Sequence, residues 1–459
     1  MSKGYSFNLS HTLAYSLVAL QEMNLAYKYP MIFWDCANLI VDSGAIDGID
    51  AKSANYNKIA NAVNKIKSQT STNISLVDIN KSEKSFTPDV ENNLIYYGMA
   101  GIQGVGSDVI QQIIENRPYS SFADFQEKNN FNKTVITMLI KSGAFDQFGE
   151  RADIMKQYLT SVANTKKRLN LQNFKALSEK NLFPQELKFQ ERLFRYNAAL
   201  KKNCKYQSFF LLDKPNYYKF YANFFDVDLL EPVGNGSIGI QQKKWKTLYD
   251  GNMLAAKQYI TKNQEKLLSA YNKIAVDEMV QRYAYGSYSH WEMESLGMYW
   301  HDHELKNLKE NLYDIVHFKD LPEQAEVEYN FKRGGNNIPI FKTCRIAGTV
   351  IAKDDLHSSC TILTNDNEVV PVKMTKDYYA RYNKRISQIQ PDGTKKVMEP
   401  GFLQRGTLVV LNGYRRGANF ILKKYKKTKS HQFYKITKMM KDGRIEMTHR
   451  RYDDPVEEN

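Results

Sequence analysis

The chain has 459 residues, 64 Lys and Arg against 50 Asp and Glu, a formal net charge of +14, and a hydrophobic share of 42%. That length suits two to four domains with real cores. No run approaches the roughly 18–20 apolar residues of a membrane span, and no charged-then-apolar leader opens the chain, so a cytoplasmic protein with no membrane partner is expected.

Cys36, Cys204, Cys344 and Cys360 lie far apart, with no CxxC pair. That pattern argues against structural zinc and against a disulfide framework, and the expectation is free thiols. The excess of Lys and Arg attracts polyanions, because releasing counterions from phosphates drives binding. The 30 Tyr and 23 Phe suit stacking on bases, although burial in cores is the commoner use.

Residues 12–40 read as mostly helical, with Leu13, Leu17, Leu20 and Met23 at helical spacing and Ser10 as a candidate cap. A second helix is predicted over about 55–68, with Ile59, Val63 and Ile66 on one face. Residues 76–86 are polar and read as an extended connection. Helices are expected again over 105–114 and 134–142, a loop-rich passage over 216–239, and helix over 246–282. The Gly/Asn/Pro cluster at 334–339 reads as a domain boundary. Beyond it the pattern alternates, predicting short strands at 341–351, 360–363, 369–374, 407–414 and 433–438, as in a small Greek-key barrel or a sandwich. The acidic tail at 453–459 is expected to fray.

The phrase Ile102-Gln103-Gly104-Val105-Gly106, followed by Val109 and Ile110, has the form of a helix–hairpin–helix. Two glycines permit a tight turn and remove side chains that would block a phosphate. The following helix aims its N-terminal amides there. Such a contact reads backbone and not sequence. A lone GxG is more often an ordinary turn. A second candidate, Leu139-Ile140-Lys141-Ser142-Gly143-Ala144-Phe145-Asp146, makes the pairing more specific. Together they nominate Gly104, Val105, Gly106, Lys141 and Gly143 as contacts to the duplex backbone.

Several phrases now resemble the C-family replicative DNA polymerases, the bacterial and phage polymerase III alpha subunits. Gly4-Tyr5-Ser6-Phe7-Asn8, Ser10-His11 and Ala14-Tyr15 are similar to a fingers phrase of that family. Tyr29-Pro30 follows, then Asp78, Asn80 and Ser82 with Phe86, the hairpin, and Leu139, Ile140 with Gly143-Ala144-Phe145-Asp146. Glu292, Glu294, Leu296-Gly297, Tyr299 and His303 close the series. The phrases run in the family's order from residue 4 to about 304, and the family places an oligonucleotide-binding barrel after them. The departures are Leu9, where Lys or Arg is usual, and His301-Asp302-His303-Glu304 in place of Ser-Gly-His-Pro. The family's phosphoesterase-like domain, palm and thumb have no counterpart here.

The resemblance implies an α+β multidomain chain. Residues 1–90 would be the end of the fingers and 91–210 a tandem helix–hairpin–helix region. Residues 211–335 would be a helical connector, 336–445 an OB-fold-like barrel, and 446–459 the tail. Asn8, Ser10 and His11 would border the incoming-nucleotide pocket. The catalytic carboxylates, and the two Mg²⁺ ions they hold, would sit on a separate polypeptide carrying palm and thumb, leaving no cofactor on this chain. Asp354-Asp355 reads as a turn, Asp453-Asp454 as part of the frayed tail, and Glu292 with Glu294 as a solvated pair. His301-x-His303 is a weak metal candidate, because i and i+2 side chains do not face together on a helix.

The barrel's basic cluster, Arg415, Arg416, Lys423, Lys424, Lys426 and Lys427 with Phe420 and Tyr425 interleaved, suits single-stranded DNA, with a solvated charged hairpin as the plain alternative. Gln264, Leu267 and Leu268 fit a sliding-clamp peptide, or a helical core. The expected function is the C-terminal portion of a split DNA polymerase, acting on primer–template duplex and single-stranded template in a bacterial or phage-infected cell. The rival is a stand-alone, non-catalytic DNA-binding accessory protein. An RNA-binding protein is weaker, since the hairpins favour DNA backbone.

Overall fold

A computed structural model describes residues 8–42, 56–234, 236–389, 395–423 and 433–450. The chain divides into two compact units. One joins the residues up to Met155 with those from Tyr285 onward, and the other is Lys156–Ala284. This division cuts across the 91–210 and 211–335 regions expected from the sequence. No helix among the described residues is long and apolar enough to cross a membrane.

The first unit opens on helices α1 (Leu9–Lys28), α2 (Ile32–Asp42) and α3 (Tyr56–Gln69). Tyr29 is extended and Pro30 follows it, which ends α1, since the residue before proline disfavours helical backbone. The cap of α1 is Asn8 and not Ser10: the Asn8 carbonyl accepts from the His11 and Thr12 amides, each at 3.0 Å. Helices α2 and α3 bury Cys36, Leu39, Ile59, Val63 and Ile66. α1 buries nothing.

A three-stranded sheet follows, in which Leu94–Tyr96 pairs with both Asn73–Ser75 and Thr87–Asp89. Asp78, Asn80 and Ser82 close the loop between the first two strands. The Asn80 side chain donates to the Tyr119 carbonyl and accepts from its amide, both at 2.8 Å, and Arg117 Nε donates to the Ile79 carbonyl at 2.8 Å. This phrase is therefore a brace for the helices that follow: α4 (Ser107–Glu115), α5 (Phe122–Lys128), α6 (Lys133–Lys141) and α7 (Arg151–Val162).

The expected barrel is present. Strand β1 (Cys344–Asp354) pairs with β2 (Ser359–Thr364), β2 with β3 (Val369–Lys373), β3 in parallel with β5 (Asn419–Leu422), β5 with β4 (Leu408–Arg416), and β4 with β1. That order closes five strands, which removes their free edges. The helix Lys376–Asn383 crosses between β3 and β4 and packs Tyr379 and Tyr382 into the barrel core beside Phe402, Phe420 and Phe433. The cluster at Gly334–Pro339 is not a domain boundary. Gly334 and Gly335 have φ of +56° and +81° and turn a hairpin between Val327–Arg333 and Asn336–Phe341, as a two-residue loop with positive φ at both positions requires.

The helical region and the barrel meet at the helix Tyr288–Leu296. Gly297 ends it at φ +71°. Glu292 is fully buried there, contrary to the solvated pair expected. One of its oxygens accepts from Arg151 Nη1 at 3.1 Å and meets His301 Nδ1 at 2.6 Å. The other accepts from the Trp300 and His301 amides, each at 2.9 Å. Arg151 also holds Asp146 and lies 5.0 Å from the centre of the Tyr288 ring.

In the second unit the passage expected to be loop-rich contains the helix Pro215–Phe224, because Tyr217, Phe220 and Tyr221 recur at helical spacing and pack on Tyr196 and Trp245. The clamp expectation is corrected here. Gln264–Tyr283 is one helix, Leu267 is 4% exposed within this unit's core, and Leu268 packs against that core. The Gln264 amide, oriented by its neighbours, pairs with the Leu169 backbone at 2.7 and 2.9 Å. An anchor committed to its own chain is not presented to a clamp.

Truncating one partner of a buried ion pair strands the other. Glu292→Ala should therefore destabilise the first unit by about 3–5 kcal/mol. Removing half-exposed Glu294 should have a smaller effect. Urea unfolding of both variants beside wild type checks the order, and equal midpoints would sink it.

Candidate nucleic-acid interface

The first hairpin is built outward from buried apolar anchors. Ile102 and Val105 are buried, as are Ile110 and Ile113 of α4. Between the anchors, Gly104 has φ +77° and both Gly104 and Gly106 are exposed. A Cβ built at either glycine meets no atom within 4 Å. Gly106 caps α4, its carbonyl accepting from Ile110 at 3.1 Å, and no side chain caps that helix. The N-terminal end of α4 thus faces an open surface with its partial positive charge, although Asp108 lies in the first turn. The hairpin is pinned by the Gln103 amide on the Ser295 carbonyl at 2.8 Å and by Arg405, which reaches Gln103 Oε1 at 2.7 Å and the Ile351 carbonyl at 3.1 Å.

The second hairpin differs. Lys141, Ser142, Gly143, Ala144 and Phe145 are all buried. Gly143, at φ +83°, ends α6, and its added Cβ would fall 2.8 Å from Arg151 Nη2, 2.9 Å from Asp146 Oδ2 and 3.0 Å from Leu76. Lys141 is 3% exposed and donates to Glu294 at 2.6 Å. Lys141 and Gly143 are thus corrected as duplex contacts: the space a phosphate would need holds the Arg151–Asp146 pair.

Asn8, Ser10 and His11 are exposed at the start of α1, with the His11 ring 4.7 Å from that of Tyr15. Gly4, Tyr5, Ser6 and Phe7 lie outside the described residues, as do Lys424, Tyr425, Lys426, Lys427 and the Asp453–Asp454 tail.

Of the described basic cluster, Arg416 and Lys423 are exposed. Phe420 is corrected as a base platform, because β5 turns it into the barrel core at 0% exposure. Arg415 is corrected as well. It donates to the Phe318, Leu321 and Gly417 carbonyls and sits 4.6 Å from the centre of the Phe318 ring. Aromatic side chains that the sequence reading did not single out line a cleft nearby. A cleft of about 900 Å³ opens between the hairpin Val327–Phe341 and the barrel, with Tyr329, Phe341, Tyr378, Tyr414, Lys373 and Lys423 among its walls. Phe341 and Tyr414 stack at 4.8 Å with a 30° tilt. Glu328 and Asp377 also line it. These aromatics come from three separate elements, so no local sequence window contains them.

The Asp354 and Asp355 carboxylates are committed to neighbours in the fold. Asp354 holds His357 at 2.7 Å, and Asp355 accepts from Tyr379. Among the described residues no three His, Cys, Asp or Glu side chains converge as a metal set. His301 and His303 diverge, His301 going to Glu292 and His303 into the protein, where Nδ1 accepts from the Leu305 amide at 3.0 Å and Nε2 faces the Leu363 carbonyl at 3.3 Å. That pairing puts the proton on Nε2. The cysteines are free thiols, and burial pushes Cys36 up to about 11 and Cys360 up to about 12, which suits packing and not nucleophilic chemistry.

Burial drives the His303 imidazole down to about 4. A histidine depressed in the folded state stabilises fully above its unfolded value near 6.5, and that stability is lost as pH falls toward 4, by up to about 3 kcal/mol. Urea unfolding between pH 7 and 4 should show this loss, and His303→Gln should flatten the slope. An unchanged slope in the variant would exclude the buried neutral imidazole.

Comparison with known proteins follows the same outline. The helix-hairpin-helix motif family matches residues 71–154. The DNA-directed DNA polymerase of Bacillus phage SPbeta is 38% identical over 98% of this chain, and the match covers 35% of that protein's length. The DNA polymerase III alpha subunit of Treponema pallidum is 33% identical over 32% of this chain and 12% of its own length, and that of Borreliella burgdorferi is 30% identical over 46% and 19%. The chain thus spans about a third of the length of the phage relative. The ordered phrases, the hairpin region, the closed barrel and these relatives together identify the chain as a homologue of the C-terminal region of the C-family DNA polymerases.

Proposed function

We propose that this chain is the C-terminal portion of a C-family DNA polymerase in replication, gripping primer–template DNA while carboxylates and Mg²⁺ on a palm outside it perform phosphoryl transfer. The observation that carries the reading is the open Gly104-Val105-Gly106 hairpin at an uncapped helix start. A phosphate approaching it meets backbone amides with no side chain in the way, so binding would be indifferent to sequence. The rival, a stand-alone DNA-binding accessory protein, shares this surface. It is separated by whether primer extension by the remaining polymerase polypeptide depends on this chain.

The template strand would continue along the barrel cleft, its bases on Tyr329, Phe341, Tyr378 and Tyr414 and its phosphates toward Lys423 and Arg416. Asn8, Ser10 and His11 would border the nucleotide once the palm is present, with His11 able to donate to a phosphate oxygen.

Two measurements test the reading. Gly104→Val with Gly106→Val should weaken duplex binding alike for unrelated sequences, and wild-type affinity should fall steeply with salt. Undiminished binding by the double variant in fluorescence anisotropy would refute the hairpin assignment. Separately, Tyr414→Ala should lower affinity for an oligothymidylate single strand by about 1–3 kcal/mol and leave duplex affinity unchanged. Phe420→Ala, a core truncation, should instead lower the melting temperature. A Tyr414→Ala protein that binds single strands as wild type would remove the cleft from the template path.

A further inference from the structure

The helix α1 is 20 residues long and has no buried residue. Leu13, Leu17 and Leu20 are 59%, 53% and 63% exposed along one side, Val18 and Leu25 are 49% and 45% exposed about a third of a turn away from them, and Tyr15 is 64% exposed on the opposite side. An amphipathic surface helix hides one apolar stripe, whereas a helix apolar on opposite sides belongs inside a protein core. Exposed apolar surface of this extent marks an interaction site.

The chemistry of the helix narrows the occupant. Glu22 and Lys28 are its only carboxylate and amine, one of each sign, so it presents no basic cluster to a nucleic-acid backbone. It also falls short of a membrane span. The occupant is therefore a polypeptide, and one large enough to enclose the helix from two sides. Nearly two-thirds of the phage relative's length lies outside its match to this chain, and a polypeptide of that kind would have the bulk to do so.

We infer that α1 is a docking element, embedded on both faces in the remaining part of the polymerase, whether that part is joined to this chain or separate from it. This inference rests on the polymerase reading above and adds to it the surface through which the parts assemble. Embedding also carries Asn8, Ser10 and His11, at the N-terminal end of α1, into the partner.

The test uses the full chain and, as probe, the portion of the phage SPbeta polymerase outside the match, expressed separately. Wild type should form a complex measurable by sedimentation or calorimetry. Leu13→Glu with Leu17→Glu, and separately Val18→Glu with Leu25→Glu, should each weaken it by roughly a hundredfold. Neither pair should move the melting temperature of the free chain or its affinity for duplex, because these side chains are already in water. Lack of a complex with wild type would overturn the inference, as would a complex indifferent to either pair. So would a fall in melting temperature, which would place α1 against its own chain, or self-association of wild type that both pairs abolish, which would make a second copy the occupant. Failure of the hairpin variants to affect duplex binding would instead strike the DNA-binding reading and leave the docking result standing.

Discussion

The buried pair of Arg151 and Glu292 is the constraint on which the first unit depends. It joins α7 to a helix 141 positions away in sequence, and through Glu292 it also holds the Trp300 and His301 amides that lead toward the barrel. Removing two charges from water is expensive, and the arrangement offsets that by satisfying every side. Glu292 receives four donors or ring contacts, and Arg151 is shared among Glu292, Asp146 and the Lys141 carbonyl. Such a pair is weak evidence for net stability, but it specifies one arrangement, because any other leaves a charge uncompensated.

Arg151 also decides which hairpin is open. Arg151 and Asp146 fill the concavity behind Gly143, so the second glycine turn serves packing. The first turn has no such occupant, and its anchors point inward while its glycines point to solvent. Two turns with similar sequence forms therefore have different roles. Gln103 ties the open turn to Ser295 and to Arg405, so the hairpin and the barrel are held within one rigid neighbourhood.

The barrel makes a related point about charge and stacking. Basic residues and aromatics interleave along residues 415–423, yet strand alternation sends Phe420 inward and the neighbouring cations outward or onto carbonyls. The aromatic wall comes instead from the hairpin Val327–Phe341, from β4 and from the helix after β3. Stacking surfaces need rings from several directions, which one strand with a period of two cannot supply.

The sequence by itself determined the class of several segments, though not that of the helix Pro215–Phe224. Helical spacing marked α3, α4 and α6, alternation marked β1 to β4, and the ordered phrases from residue 4 to about 304 marked the family. It also determined the glycine pattern of the open hairpin, because positive φ and close backbone approach are local demands that glycine meets. Short β5 was hidden, since four residues give alternation too little length to register. The fate of Glu292, Lys141, Phe420 and Leu267 was decided by tertiary structure alone. Each is polar or apolar in the same way whether exposed or buried, and only the arrival of Arg151, Glu294, the barrel core or the helices packed against residue 267 fixed its role. Helix α1 is the converse: its sequence is that of a core helix, and the tertiary structure leaves it uncovered because nothing within the described residues packs against it.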